Sequence, residues 1–154
     1  MKKKVVILGG GTGLSYLLRG LKEFPLDITA IVSVCDDGRS TGRLREEFNI
    51  PAMGDIRKVL VSLAETEQLV EELLNYRFKT NSDLNGHPVG DLLLTAAQNM
   101  TGSMSDGISA LSKVLNLKGK VVPFSEENVT LMGEMMDGKT IRGEHNITEY
   151  NWNK

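Results

Sequence analysis

An apolar run, Val5-Val6-Ile7-Leu8, breaks into Gly9-Gly10-Gly11-Thr12-Gly13, after which apolar residues recur at Leu14, Leu17, Leu18 and Leu21. That order predicts a buried parallel strand, a tight turn and a helix, and it constrains the fold more than any other stretch. Glycines let the backbone approach a ligand closely and take positive φ. The first turn of the helix leaves N–H groups unpaired and pointing at whatever sits there. Phosphate is the natural occupant of such a turn. The apolar run itself is too short to span a bilayer.

The rest of the chain extends this unit. The first helix is expected over 13–23, stopping before Pro25, which cannot continue it. Residues 27–34 are rich in β-branched side chains and predict a second strand, completing a right-handed βαβ unit. Residues 36–42 read as a polar loop at the carboxyl end of that strand, where open parallel sheets bind ligands. A short helix is expected over 44–48, and another from Gly54 with Ile56, Val59, Leu60 and Leu63 on its inner face. In a third, over 67–76, Leu69, Val70, Leu73 and Leu74 point inward, while Glu65, Glu67, Glu71 and Glu72 form a solvated face. A loop over 80–90 leads into 91–100, then come a helix over 105–115 and a short parallel strand over 120–123. Residues 129–144 read as a hairpin around Asp137-Gly138, and 148–154, with the only tryptophan, show no period.

The expected fold is therefore α/β: a Rossmann-like parallel sheet flanked by helices, with a C-terminal β-hairpin, in one domain spanning 1–154. Three central strands make a thin sheet and leave the third exposed at an edge, which invites pairing or aggregation and leaves homo-oligomerisation open. The chain reads as the front half of something larger. A net charge of −2, with no basic surface interleaved with aromatics, argues against a nucleic-acid partner. No segment predicts membrane insertion. A single cysteine, Cys35, excludes an internal disulfide, and with no signal-peptide h-region the expected compartment is the cytoplasm.

Three glycine-flanked loops hold the candidate chemistry. In the first, Leu14 stands where a dinucleotide fingerprint places its third glycine, and no Gly-Lys-Ser/Thr of a P-loop follows. With a strand before and a helix after, Gly10, Gly11, Thr12 and Gly13 read as a phosphate grip rather than a merely tight turn. In the second loop, Asp36 and Asp37 offer three roles: a ribose contact, a Mg²⁺ ligand, or a turn cap with the other carboxylate in water. Taken alone the pair favours capping. The continuation Gly38-Arg39-Ser40-Thr41-Gly42-Arg43 shifts the balance toward a second anion nest, with Ser40, Thr41 and Gly42 at its centre. Asp55 is as good a helix cap as a ligand residue, and Arg57 lies within reach of the same cleft. In the third loop, His87 is favoured as a ligand or phosphate contact that closes the cleft. His145 has no such setting, and Cys35 reads as core. No nucleophile elbow and no zinc-ligand spacing is present, so serine or cysteine hydrolysis and a zinc centre find no support.

Several motifs together resemble one family: Gly9 to Ser15, Asp36-Asp37-Gly38 with Ser40 to Arg45, Pro51 with Gly54 to Arg57, Tyr76-Arg77-Phe78, Gly86-His87 with Gly90, and Asp137-Gly138 with Gly143-Glu144. In this order they are similar to the bacterial gluconeogenesis-factor family, relatives of the 2-phospho-L-lactate transferases of deazaflavin cofactor synthesis. The resemblance runs through Ile147. It implies a cytoplasmic, nucleotide-binding regulator that binds UDP-sugars such as UDP-N-acetylglucosamine and supports cell shape on gluconeogenic carbon sources. The alternative it implies is a transferase that passes a phospholactyl group to a deazaflavin, with Mg²⁺, for which Asp37 is the candidate metal ligand. A nicotinamide-dependent oxidoreductase ranks third, because Leu14 breaks the fingerprint. The family usually has glycine at the position of Arg39, proline at that of Met53 and asparagine at that of Asp91, and its chains are about twice as long.

Overall fold

The structure, a computed structural model, describes residues 1–66 and 68–150 and excludes the side chain of Arg39. The expectations that rest on the Arg39 charge, on Glu67 and on the tryptophan at 152 lie outside the described residues. Strand β1 (Lys3–Gly9), helix α1 (Gly11–Leu21) and strand β2 (Leu26–Val32) form the βαβ unit, with parallel pairing from Lys3 opposite Leu26 to Gly9 opposite Val32. Five helices follow: α2 (Arg39–Phe48), α3 (Gly54–Leu63), α4 (Gln68–Asn75), α5 (Val89–Thr101) and α6 (Met104–Val114). The chain then returns as β3 (Lys120–Pro123), parallel to β2, giving the sheet order β1-β2-β3. A separate antiparallel hairpin, β4 (Met132–Glu134) and β5 (Thr140–Arg142), leads into α7 (Glu144–Glu149). Among the described residues no helix is long and apolar enough to cross a membrane.

The core sits on one face of this sheet. Alternate residues of β2, namely Ile28, Ala30 and Val32, are buried against Leu14 and Leu18 of α1 and Ile56, Val59 and Leu63 of α3. The period-2 alternation of β2 and the helical spacing of α3 are each satisfied by that one contact layer.

The structure corrects the sequence reading in four places. Helix α1 begins at Gly11, so the glycine turn is partly helical. Helix α2 begins at Arg39, not near 44, because Gly38 is a helix boundary and Ser40 and Thr41 occupy the first turn; hydroxyl residues suit helix starts as well as loops. In α4, Leu69 and Leu73 are 71% and 53% exposed, and only the Val70–Leu74 stripe faces the core. Residues 144–149, expected to run from the end of the hairpin to the start of an aperiodic stretch at 148, form α7. The edge expected at β3 is present, and β1 forms a second one.

Candidate functional site

The glycine turn lies at the carboxyl end of β1. Gly10 is the N-cap of α1 in extended conformation, and Gly11 has φ +69°, a left-handed geometry that favours glycine. No side chain caps α1, so the N–H groups of its first turn remain open to a ligand. Gly10 is also required for close approach. A Cβ there would stand 2.5 Å from Asp55 Oδ2 and 3.1 Å from the Ser33 Cβ. Gly10, Gly11 and Thr12 line a hollow of about 500 Å³, whose opposite walls carry Ser33, Asp36, Asp55, Lys58 and Glu144. Gly13 lies within α1 and does not line it.

The loop after β2 is held from within. Asp36 Oδ1 accepts the Gly38 N–H at 2.9 Å, and its Oδ2 lies 3.5 Å from the buried Thr41 hydroxyl. Asp37 Oδ1 accepts the His145 N–H at 2.8 Å, so Asp37 anchors the first turn of α7. The buried Arg45 guanidinium donates to the carbonyls of Cys35 and Asp36 at 3.3 and 3.0 Å and to Asn128 Oδ1 and the Val129 carbonyl, fixing the loop to the segment before β4. Cys35, expected in the core, is half-buried and lines the hollow.

Ser40 and Thr41 face a second hollow, of about 770 Å³, lined also by Gly38, Arg43, Arg77 and Gly86. Arg77 donates to the Gly86 carbonyl at 2.7 Å and to Ser40 Oγ at 3.3 Å, while Arg43 pairs with Asp83 at 2.9 Å. Helix α2 also starts without a side-chain cap. Gly42 lies inside that first turn, its N–H bonded to the Gly38 carbonyl. Asp36 lines both hollows. His87 lines neither; it is 5% exposed, and its Nδ1 has no hydrogen-bond partner. The predicted residues thus divide among the first hollow (Gly10, Gly11, Thr12), the second (Ser40, Thr41), the anchor of α7 (Asp37), the helices α1 and α2 (Gly13, Gly42) and a buried side chain of the third loop (His87).

Charge in the first hollow is strongly negative. Burial raises the Glu144 carboxyl above its ordinary value, and Asp36, Asp55 and Asp37 add to the rise, opposed by Lys58. Lys58 pairs with Asp55 at 2.9 Å. Among the described residues no three His, Cys, Asp or Glu converge tightly enough to cage a metal ion by themselves. The donor set nevertheless suits Mg²⁺, which takes one or two carboxylates and completes its shell with water and substrate phosphate. Asp36, Asp55 and Glu144 are the carboxylates that line the space. Asp37, whose one oxygen caps α7, does not line it.

Beneath these loops Arg57 and Asp91 form an ion pair, Nε to Oδ1 at 2.9 Å, with both side chains buried. Arg57 also bonds Asn75 Oδ1, so one guanidinium joins α3, α4 and α5. Burial holds the Asp91 carboxyl above its ordinary value, and Arg57 only partly offsets this. Arg57 therefore ties three helices together and, unlike Lys58, does not line the first hollow. The sequence reading assigned no role to Glu144, Lys58 or Arg77. Gly143-Glu144 and Tyr76-Arg77-Phe78 were visible as motifs, but only the fold shows that Glu144 returns to the strand ends.

The family model described as 2-phospho-L-lactate transferase CofD matches residues 5–154. The chain is 56% identical over 146 residues to the gluconeogenesis factor of Halalkalibacterium halodurans, covering 95% of this chain and 45% of the relative. It is 54% identical over 149 residues to the gluconeogenesis factor of Bacillus subtilis, covering 97% and 47%. A crystal structure of a protein from Bacillus halodurans superimposes with a TM-score of 0.93 at 55% identity, over 96% of this chain and 47% of that one. The chain spans about half the length of these curated relatives. From the match across almost its whole length, and from glycine turn, paired aspartates and hairpin in one order, this chain belongs to the 2-phospho-L-lactate transferase CofD family, and within it is similar to the gluconeogenesis factors.

Proposed function

We propose that this chain is the phosphate-gripping part of a gluconeogenesis-factor-type regulator that binds a nucleotide sugar such as UDP-N-acetylglucosamine in the cytoplasm and supports cell shape on gluconeogenic carbon sources. The observation that supports the reading is the uncapped start of α1, opening at the carboxyl end of β1 into a 500 Å³ hollow. Backbone N–H groups there receive a diphosphate, in the way helix N-termini receive anions generally. The surrounding carboxylates repel a bare anion, and Asp36, Asp55 and Glu144 are the residues that would hold a Mg²⁺, which would offset that repulsion. Ser40 and Thr41, beside Arg43 and Arg77, offer the next hollow to the remainder of the ligand.

Calorimetric titration with UDP-N-acetylglucosamine, with and without Mg²⁺, tests this reading in the wild type and in Gly11→Val. The expected result is Mg²⁺-dependent binding that the substitution weakens at least tenfold. Equal affinity in the two proteins removes the glycine turn from the site. The second reading is a Mg²⁺-dependent phospholactyl transferase acting on a deazaflavin acceptor; the matching family model's description and the carboxylates around the hollow favour it. Turnover of a deazaflavin that Asp36→Asn abolishes would establish it in place of the regulator.

A further inference from the structure

Arg57 has donors that the helix junction does not use. Its Nε donates to Asp91 Oδ1 at 2.9 Å and its Nη1 to Asn75 Oδ1, while among the described residues its Nη2 has no acceptor. The side chain is only 6% exposed, yet it lines a third hollow, of about 440 Å³, walled by α1, α3 and α4. Nη2 is not sealed in the interior: the fully enclosed side-chain nitrogens and oxygens without a partner, among the described residues, are His87 Nδ1 and Gln98 Oε1. It therefore opens on the hollow. A guanidinium is a rigid planar fork, so fixing two of its nitrogens aims the third without further ordering.

The rest of the lining suits an anion. Arg19 and Lys58 add two cations, and the one carboxylate in the wall, Glu71, is already paired with Arg19 across the mouth. Thr12 belongs to the first turn of α1, which no side chain caps, so its N–H is open to an acceptor. Ser15 Oγ donates to the Gly11 carbonyl at 3.2 Å, a long bond that a hydroxyl can exchange for an incoming acceptor by rotation. The contrast with the first hollow is one of sign. That hollow is walled by Asp36, Asp55 and Glu144, whereas the third is walled by Arg19, Arg57 and Lys58. Thr12 and Lys58 line both, so the charge of the surface reverses across the first turn of α1.

We propose that the hollow between α1, α3 and α4 is an anion site separate from the first hollow, and that it takes a phosphate group, free or at the end of a small phosphorylated molecule. Arg57 Nη2 supplies the buried, pre-aimed donor, and Arg19 and Lys58 supply neutralising charge from the two sides. Its volume lies within the range of small-molecule sites. The site does not depend on what occupies the glycine turn.

The test is a nitrogen-15 NMR titration of the chain with inorganic phosphate and, separately, with glycerol 3-phosphate. The Arg57 side-chain Nε–H and the Ser15 and Arg19 amides report the third hollow; the Ser33 and Glu144 amides report the first. The expected result is a saturable shift of the Arg57 signal with Ser33 and Glu144 unmoved. Equal affinity for the two probes identifies free phosphate as the ligand, and tighter binding of glycerol 3-phosphate identifies a phosphorylated molecule. Arg19→Glu places a second carboxylate at the mouth and is expected to weaken binding at least about tenfold, whereas Arg19→Lys keeps the charge and binds within about threefold of wild type. Arg19 is an exposed position, and urea midpoints confirm that both variants are folded. The proposal is overturned if the Arg57 signal does not move, if it moves with equal affinity in wild type and Arg19→Glu, or if the shifts are confined to Ser33 and Glu144, which would place the anion in the first hollow.

Discussion

The carboxylate of Asp55 occupies the space beside Gly10 that any other residue's Cβ would need, with Oδ2 2.5 Å from that point. Gly10→Ala therefore forces Asp55 away from Lys58 or opens the turn. The expected cost is about 1–3 kcal/mol, the usual range for overpacking a closed site. Urea unfolding checks it, and a wild-type midpoint would show that Asp55 relocates freely.

Asp91→Ala leaves the Arg57 guanidinium buried without a counter-charge. Breaking one side of a buried pair costs about 3–5 kcal/mol, so the variant is expected to be severely destabilised in urea. The pH dependence has a definite sign. Because the folded carboxyl lies above 3.8, the native state holds that proton more tightly than the unfolded chain does. The associated stability is complete below 3.8 and is lost as pH rises through the higher folded value. Asp91→Asn, which carries no titrating carboxyl, is expected to lack this slope when urea midpoints are compared across acidic pH.

Glu144 titrates above its ordinary 4.5 because of burial first and its carboxylate neighbours second. Asp55→Asn removes one of those neighbours and should lower the Glu144 value in a carboxyl-carbon NMR titration. Adding Mg²⁺ to the wild type should move it the same way. A Glu144 titration indifferent to both changes would separate it from the hollow.

Arg45→Lys removes a planar fork for which lysine has no equivalent. The guanidinium serves Cys35, Asp36, Asn128 and Val129 together, and an ammonium reaches a subset of these. Unpaired buried acceptors cost about 1–3 kcal/mol each, so a loss of at least about 2 kcal/mol is expected in urea unfolding. A loss below about 0.5 kcal/mol would mean that the clamp is dispensable.

What could be read in advance was what is periodic or local. The strand-turn-helix unit, α3, β3 and the hairpin follow from alternation, helical spacing and Asp-Gly chemistry, each a matter of a few neighbouring residues. The inward assignment of Leu69 and Leu73 failed because an apolar residue declares a preference, not a partner, and α4 has packing for one stripe alone. The start of α2 was missed because Ser40 and Thr41 signal a loop and a helix start alike. At the site, the glycine turn was legible from glycine's backbone freedom. The electrostatics were not, since Asp36, Asp55 and Glu144 come from three distant segments.

The bond from the His145 N–H to Asp37 closes a span of 108 residues. A nascent chain emerging from the ribosome can form β1, α1 and β2 early, glycine turn included, while the wall that carries Glu144 is still unsynthesised. Closing so long a span comes late, because its entropy is lost before any contact repays it. A half-made chain therefore presents a groove open on one side until the segment that carries Glu144 has been made and folded back.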